Sequence, residues 1–197
     1  MSAILLRVSE MREGGLRLTV EEEDFPAPRR RTYCVDFECY LAIGSPSAGE
    51  LLTEETLSLL AEAEGRQKAC LSAVRALSYG PLSANALCQK LRAKGYDRET
   101  SEAAVARMIA CGYINEPEQV LRLTTLAVQK KCWGARRILA YLVHKGYPAS
   151  LVRRVIGEAA ETGELDFEEA RKRLAEKYLG EEATSEERRA LFYKYGH

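Results

Sequence analysis

One helical unit is written twice in this chain, 51 residues apart, and each copy stops at the same tripeptide. The first helix covers residues 84–94 and ends at Lys94-Gly95-Tyr96; the second covers residues 135–145 and ends at Lys145-Gly146-Tyr147. A repeat of this length is too short to bury its own apolar face, so it must stack on a neighbour. The expected fold is mainly α, with tandem three-helix repeats in an extended curved array. An array of that kind offers a long binding surface rather than a cleft.

The period of the apolar residues divides the chain. Leu6 and Val8, then Leu16, Leu18 and Val20, then Tyr33, Val35 and Phe37 alternate with polar residues, the pattern of half-buried strands. Gly14-Gly15 suits a hairpin turn, and Pro26, Pro28 and Arg29-Arg30-Arg31 mark a looser connection. Residues 1–50 are therefore expected to form a small antiparallel sheet of about three strands that ends at Ser45-Pro46-Ser47. Residues 51–65 read as a linking helix capped by Thr53.

From residue 66 the period is helical. In the first repeat (66–114), Cys70, Ala73, Val74 and Leu77 form one stripe, Ala84, Leu87, Cys88 and Leu91 a second, and Val105, Met108, Ile109 and Gly112 a third. Ser83 and Asp97 are placed as caps, and Gly95 as a left-handed terminator. The second repeat (115–163) opens on an Asn115/Glu118 capping box. Its stripes are Val120, Leu123, Thr124 and Ala127; then Ala135, Ile138, Leu139, Leu142 and Val143; then Val152, Val155, Ile156 and Ala159. Pro148 suits the first turn of its last helix. A truncated third repeat (164–197) has Asp166/Glu169 and Thr184/Glu187 as caps and Phe167, Ala170, Leu174 and Tyr178 as its stripe.

Formal net charge is zero, yet residues 66–160 hold 16 Lys and Arg against 6 Asp and Glu, a net of +10. The middle of the chain is thus suited to an anionic partner. The cations off the apolar stripes or in the turns are the candidate partner-binding residues: Lys90, Arg92, Lys94, Lys130, Lys131, Arg136, Arg137, Lys145, Arg153 and Arg154. Arg136 and Arg137 open a helix, where the dipole disfavours cations. That points to recognition rather than local stability. Trp133, the one tryptophan, is assigned to packing of a turn, as are Tyr96, Tyr113 and Tyr147.

Six cysteines occupy apolar surroundings without a CxxC pair and read as reduced, small core residues. With two histidines, the chain offers no zinc-finger spacing. No cofactor, metal or catalytic residue is assigned, since no nucleophile stands beside a base and no Gly-rich loop cradles phosphate. No apolar run reaches membrane-spanning length. A cytoplasmic, monomeric protein without enzymatic activity is expected.

Several stretches resemble the RecX family of bacterial regulatory proteins. They are Leu87 to Gly95, Cys111-Gly112-Tyr113-Ile114-Asn115, Trp133-Gly134-Ala135-Arg136-Arg137-Ile138 running to Leu142 and Lys145-Gly146, and Gly49-Glu50-Leu51-Leu52-Thr53. Asn115 stands where the family tends to have Asp. The resemblance implies a role in recombination, DNA repair and the SOS response. It implies a protein that binds the RecA filament on single-stranded DNA and reduces its extension, ATP hydrolysis and strand exchange. Single-stranded or double-stranded DNA is a further partner class, and a direct DNA-binding helical module is the alternative.

Overall fold

A computed structural model of the chain describes residues 3–11, 15–23, 27–180 and 183–197. Gly14, half of the expected hairpin turn, and Pro26 lie outside them. The described residues form four strands in one antiparallel sheet and nine helices. They divide into two compact units, Met1–Ala76 with Leu91–Met108, and Leu77–Lys90 with Ile109–His197.

In the first unit, strands β1 (Ala3–Glu10), β2 (Leu16–Glu22), β3 (Arg29–Val35) and β4 (Leu51–Leu52) lie in the order β3-β2-β1-β4. The inner face is Ala3, Leu5, Leu16, Leu18, Val20, Tyr33 and Val35, packed with Leu60 and Ala63. Alternation in β1 runs one residue out from the expected Leu6 and Val8. A register shift between Leu5 and Arg7 buries Leu5 and still lets Val8 lean on the same core, since a bulge resets the facing of the residues after it. The sheet gains a fourth strand beyond the three expected: Leu51 and Leu52 pair with Ile4 and Ala3, and backbone bonds join Leu5 to Gly49 and Glu50.

Two helical expectations change. Phe37 is no strand residue: it opens α1 (Phe37–Ala42), capped by Asp36, whose carboxylate accepts from the Cys39 amide at 2.8 Å. Helix α2 (Glu54–Ser78) runs unbroken through residue 66. Thr53 caps it as expected, accepting from the Thr56 amide at 3.2 Å. Gly65 in its interior lowers helix propensity but does not end the helix when the flanking residues favour it. The buried stripe of α2 is Leu60, Ala63, Ala69, Ala73 and Ala76, and Val74 is exposed. Helix α3 spans Ala84–Ala93 and α4 spans Arg98–Ala110, the latter capped by Asp97. Ile109 and Gly112 of the expected α4 stripe are exposed, while Ala104, Val105 and Met108 are buried.

The core tyrosine of the sheet carries a pH prediction. Tyr33 is 1% exposed and donates to Glu22 Oε1 at 2.9 Å. Burial, helped by the Glu22 bond, pushes its hydroxyl up to about 12. Below pH 10 both states hold the proton, and the favourable environment of the neutral phenol counts in full. Between the ordinary phenol value near 10 and about 12 the unfolded chain releases it first, so stability falls by on the order of 2 kcal/mol. Denaturant unfolding of the parent and of Tyr33→Phe at pH 9 and 12 should therefore give an advantage for tyrosine that shrinks with rising pH. Parallel pH profiles would refute the assignment.

The second unit holds the second repeat as a packed triplet: α5 (Glu116–Lys131), α6 (Ala135–His144) and α7 (Ala149–Glu161). Their shared core is Val120, Ala127, Val128, Ile138, Leu142, Tyr147, Val152, Val155, Ile156 and Ala159. Ala135 and Val143, expected in the stripe of α6, are exposed, Val143 at 43%. The Tyr147 hydroxyl donates to Gln119 Oε1 at 3.0 Å and so ties the turn after α6 to α5. Gly146 in that turn has φ +89° and Gly95 in its counterpart φ +94°, the left-handed conformation that glycine adopts without strain. Ser83 caps α3 as expected and also donates to the Lys145 carbonyl at 2.9 Å. Helices α8 (Phe167–Tyr178) and α9 (Ser185–Tyr195) follow, capped by Asp166 and by a reciprocal Thr184/Glu187 box.

Candidate partner-binding site

The site is built where α5 hands over to α6. Helix α5 stops because Cys132 takes a left-handed conformation, φ 51° and ψ 40°, so the chain reverses and Trp133 folds back to bond the Ala127 carbonyl. The last turn of α5 and the first turn of α6 thereby face the same indole. Lys131 Nζ lies 4.4 Å from the Trp133 ring centre and Arg137 Cζ 4.6 Å, both within cation–π range. Tyr141 meets Trp133 edge-on at 5.3 Å, and Lys145 Nζ lies 5.2 Å from the Tyr141 ring. Trp133 packs the turn, as expected.

Helix α9 closes on this turn. Tyr195 and Gly196 carbonyls accept from the amides of Gly134 (2.9 Å) and Arg136 (3.2 Å). Arg136 Nη2 donates to the Tyr193 carbonyl at 2.7 Å with its guanidinium 4.0 Å above the Tyr193 ring. Arg137 Nη1 donates to the Lys194 carbonyl at 3.0 Å. The local benefit of these two arginines, which the helix dipole alone makes less obvious, is thus supplied by α9. They sit at the disfavoured end of α6, but they satisfy the last carbonyls of α9, where positive charge is favoured.

Beside the indole opens a hollow of about 270 Å³. Lys130, Lys131 and Arg137 line it from the α5–α6 turn, Lys177 and Tyr178 from α8, and Tyr195 from α9. Among the described residues, no acidic side chain lines it and none of its four cations has a carboxylate ion-pair partner. Tyr178 is 53% exposed, which corrects its place in the apolar stripe. A hydrogen bond from Tyr195, with the Lys177 charge beside it, holds the Tyr178 hydroxyl below its ordinary value, and the same bond raises that of Tyr195.

The ten candidate cations do not all meet. Lys130, Lys131 and Arg137 converge on the hollow, Lys145 stands beside Tyr141, and Arg136 turns to Tyr193. Arg153 and Arg154 are exposed on α7, with Arg154 3.6 Å from Glu158. Lys90 is exposed on α3 in the same unit, whereas Arg92 and Lys94 are exposed in the other unit. Lys177, Tyr178 and Tyr195 were not among the candidates. They reach the hollow from far along the chain, and the available signal was a lysine-tyrosine step at the end of α8.

Other expectations need correction. Five cysteines are half-buried, Cys39 and Cys132 of them packing against the two cores, and Cys111 is exposed, so none is a fully buried core residue. Tyr113 is also exposed at 58%, because it follows α4 in a turn without packing over it. Burial raises the Cys39 thiol, with Asp36 adding to the effect, opposite to the depression a reactive thiol needs. Among the described residues, no helix is long and apolar enough to cross a membrane.

The sheet followed by three-helix modules, with cations gathered at one module's turn, defines a modular helical protein with a cationic surface. Residues 69–108 match the family model described as RecX, first three-helix domain. Regulatory protein RecX of Trichlorobacter lovleyi is 28% identical over 121 residues, spanning 61% of this chain and 78% of that protein. A crystal structure of regulatory protein RecX shares the fold with a TM-score of 0.72 at 16% identity, over 99% of this chain and 94% of that one. RecX from Lactobacillus salivarius gives 0.57 at 15% identity, over 68% and 90%. Residues 69–108 thus resemble the first three-helix domain of RecX, and the chain is similar in sequence to one protein named regulatory protein RecX and in fold to two solved ones.

Proposed function

We propose that this chain is a regulatory protein that binds the RecA filament on single-stranded DNA and restrains its extension, ATP hydrolysis and strand exchange, without chemistry of its own. The observation that carries the reading is the RecX first three-helix domain at residues 69–108, in a chain similar to a protein named as a regulator. Physical support comes from the second module. Among the described residues its exposed Lys130, Lys131, Lys145 and Arg153 have no carboxylate partner, so they can meet phosphate or an acidic protein surface and release counterions on doing so. Many modest contacts of that kind give affinity that falls steeply with salt.

The test is RecA ATP hydrolysis on single-stranded DNA with and without the purified chain. Stoichiometric addition at low salt should suppress hydrolysis, and Lys130→Glu with Lys131→Glu should weaken the suppression about tenfold or more, with a shallower salt dependence. Unchanged hydrolysis would count against the reading. Tight duplex binding in the absence of RecA would instead favour a direct DNA-binding module, in which the helices after the Gly95 and Gly146 turns contact DNA.

A further inference from the structure

We propose that the hollow between the ends of α5, α8 and α9 is a nucleotide site, holding one phosphate group among its cations and the attached base against the ring of Tyr178. Four positive side chains, Lys130, Lys131, Arg137 and Lys177, come from three helices to a space of about 270 Å³ with no acidic side chain among the described residues of its lining. Local helix electrostatics accounts for part of this. Lys130, Lys131 and Lys177 lie in last turns, where the dipole favours a cation. Arg137 in turn meets the last carbonyls of α9 and shares the Trp133 ring with Lys131; these contacts hold each cation singly and leave the mutual repulsion of the four, which an anion between them would relieve.

The aromatic groups narrow the anion. Tyr178 leaves half its surface open beside Lys177, and its ring lies 5.7 Å from that of Tyr195. An open ring beside a cationic groove is the arrangement that binds a base by its flat face and its phosphate by charge. Carboxylates of an acidic peptide would satisfy the cations and leave that ring uncovered. The hollow is smaller than the roughly 300–1,000 Å³ of pockets for drug-sized ligands, so it suits one nucleotide unit. That unit can be a free nucleotide or one link of a single strand.

Trp133, the chain's single tryptophan, lines the hollow and reports its occupancy. The experiment titrates the full chain with ATP, with inorganic triphosphate and with an oligothymidylate, reading Trp133 emission and calorimetric heat. ATP should change the emission saturably and bind roughly tenfold tighter than triphosphate, the increment expected from stacking one base. Tyr178→Ala should abolish that difference, Tyr178→Phe should keep it, and Lys177→Ala should weaken ATP and triphosphate alike. Both positions are exposed, so the variants should fold, which circular dichroism checks. Competition between oligothymidylate and ATP identifies a strand link as the occupant; ATP binding indifferent to the strand identifies the free nucleotide.

Equal affinity for ATP and triphosphate, or an ATP preference that survives Tyr178→Ala, would overturn the proposal, as would no saturable response to any of the three probes. The site stands apart from the recombinase reading. A chain that binds ATP in this way and leaves RecA hydrolysis untouched would keep the site and lose that function.

Discussion

Gly134→Ala should release α9 from the second module and raise amide exchange across residues 185–195 about a hundredfold. The backbone itself is no obstacle, since Gly134 has φ −83° and ψ 168°, extended values open to alanine. The obstacle is the added Cβ, which would overlap the Gly196 carbonyl and the His197 amide. To make room, α9 must lift away. It would then lose its bonds to the Gly134 and Arg136 amides, to both guanidinium groups, and from His197 to the Cys132 carbonyl.

Bonds to charged donors contribute about 1.5–3 kcal/mol and neutral ones about 1, without simple addition, so a docking loss on the order of 3 kcal/mol is expected. No residue of α9 is fully buried. An eleven-residue helix with so little packing does not persist alone. Hydrogen exchange should show α9 opening while amides around Ile138 and Leu142 change far less. Gly157→Ala is the control: nothing lies within 4 Å of its added Cβ, and alanine in a helix interior should stabilise by about 0.5–1 kcal/mol. Unaltered protection of α9 in Gly134→Ala would show that the close approach does not hold it.

Leu142→Ala should cost about 2–5 kcal/mol, against under about 1 kcal/mol for Val143→Ala. Both residues belong to the apolar stripe that periodicity assigns to α6. In the fold Leu142 is fully buried, in the same core as Val120, Ile138 and Val152, while Val143 is 43% exposed. Removing the leucine leaves a cavity that surrounding helices fill only partly. Truncating the valine mostly returns surface to water. Urea unfolding followed by circular dichroism measures both, and equal costs would mean that α6 is rotated from the orientation described.

The contrast between these neighbours shows how far periodicity reads. It located α6, but a stripe spans well over a third of the helix circumference, and only the positions of α5 and α7 decide which of its residues are covered. In β1 the limit is similar, since alternation is legible in Leu6 and Val8 but the shift at Leu5 to Arg7 answers to the partner strand. For α2, the sequence placed a boundary near residue 66 where charge and period change, and the helix continues because no proline or cap interrupts it.

What the sequence determined by itself is what nearby residues settle among themselves. Thr53, Ser83, Asp97, Asp166 and Thr184 cap the helices that follow them, and Gly95 and Gly146 take left-handed turns at the same 51-residue offset. Each such feature is a bond or a torsion spanning a few residues, so composition and spacing suffice. The use made of the cations was decided by tertiary structure alone. Arg136 and Arg137 reach carbonyls 57 residues away, and Lys177 and Tyr178 meet Lys130 and Lys131 only because α8 lies against α5. Charge carries no periodic signature of its destination, and the packing of buried apolar faces is what brings these distant side chains to one place.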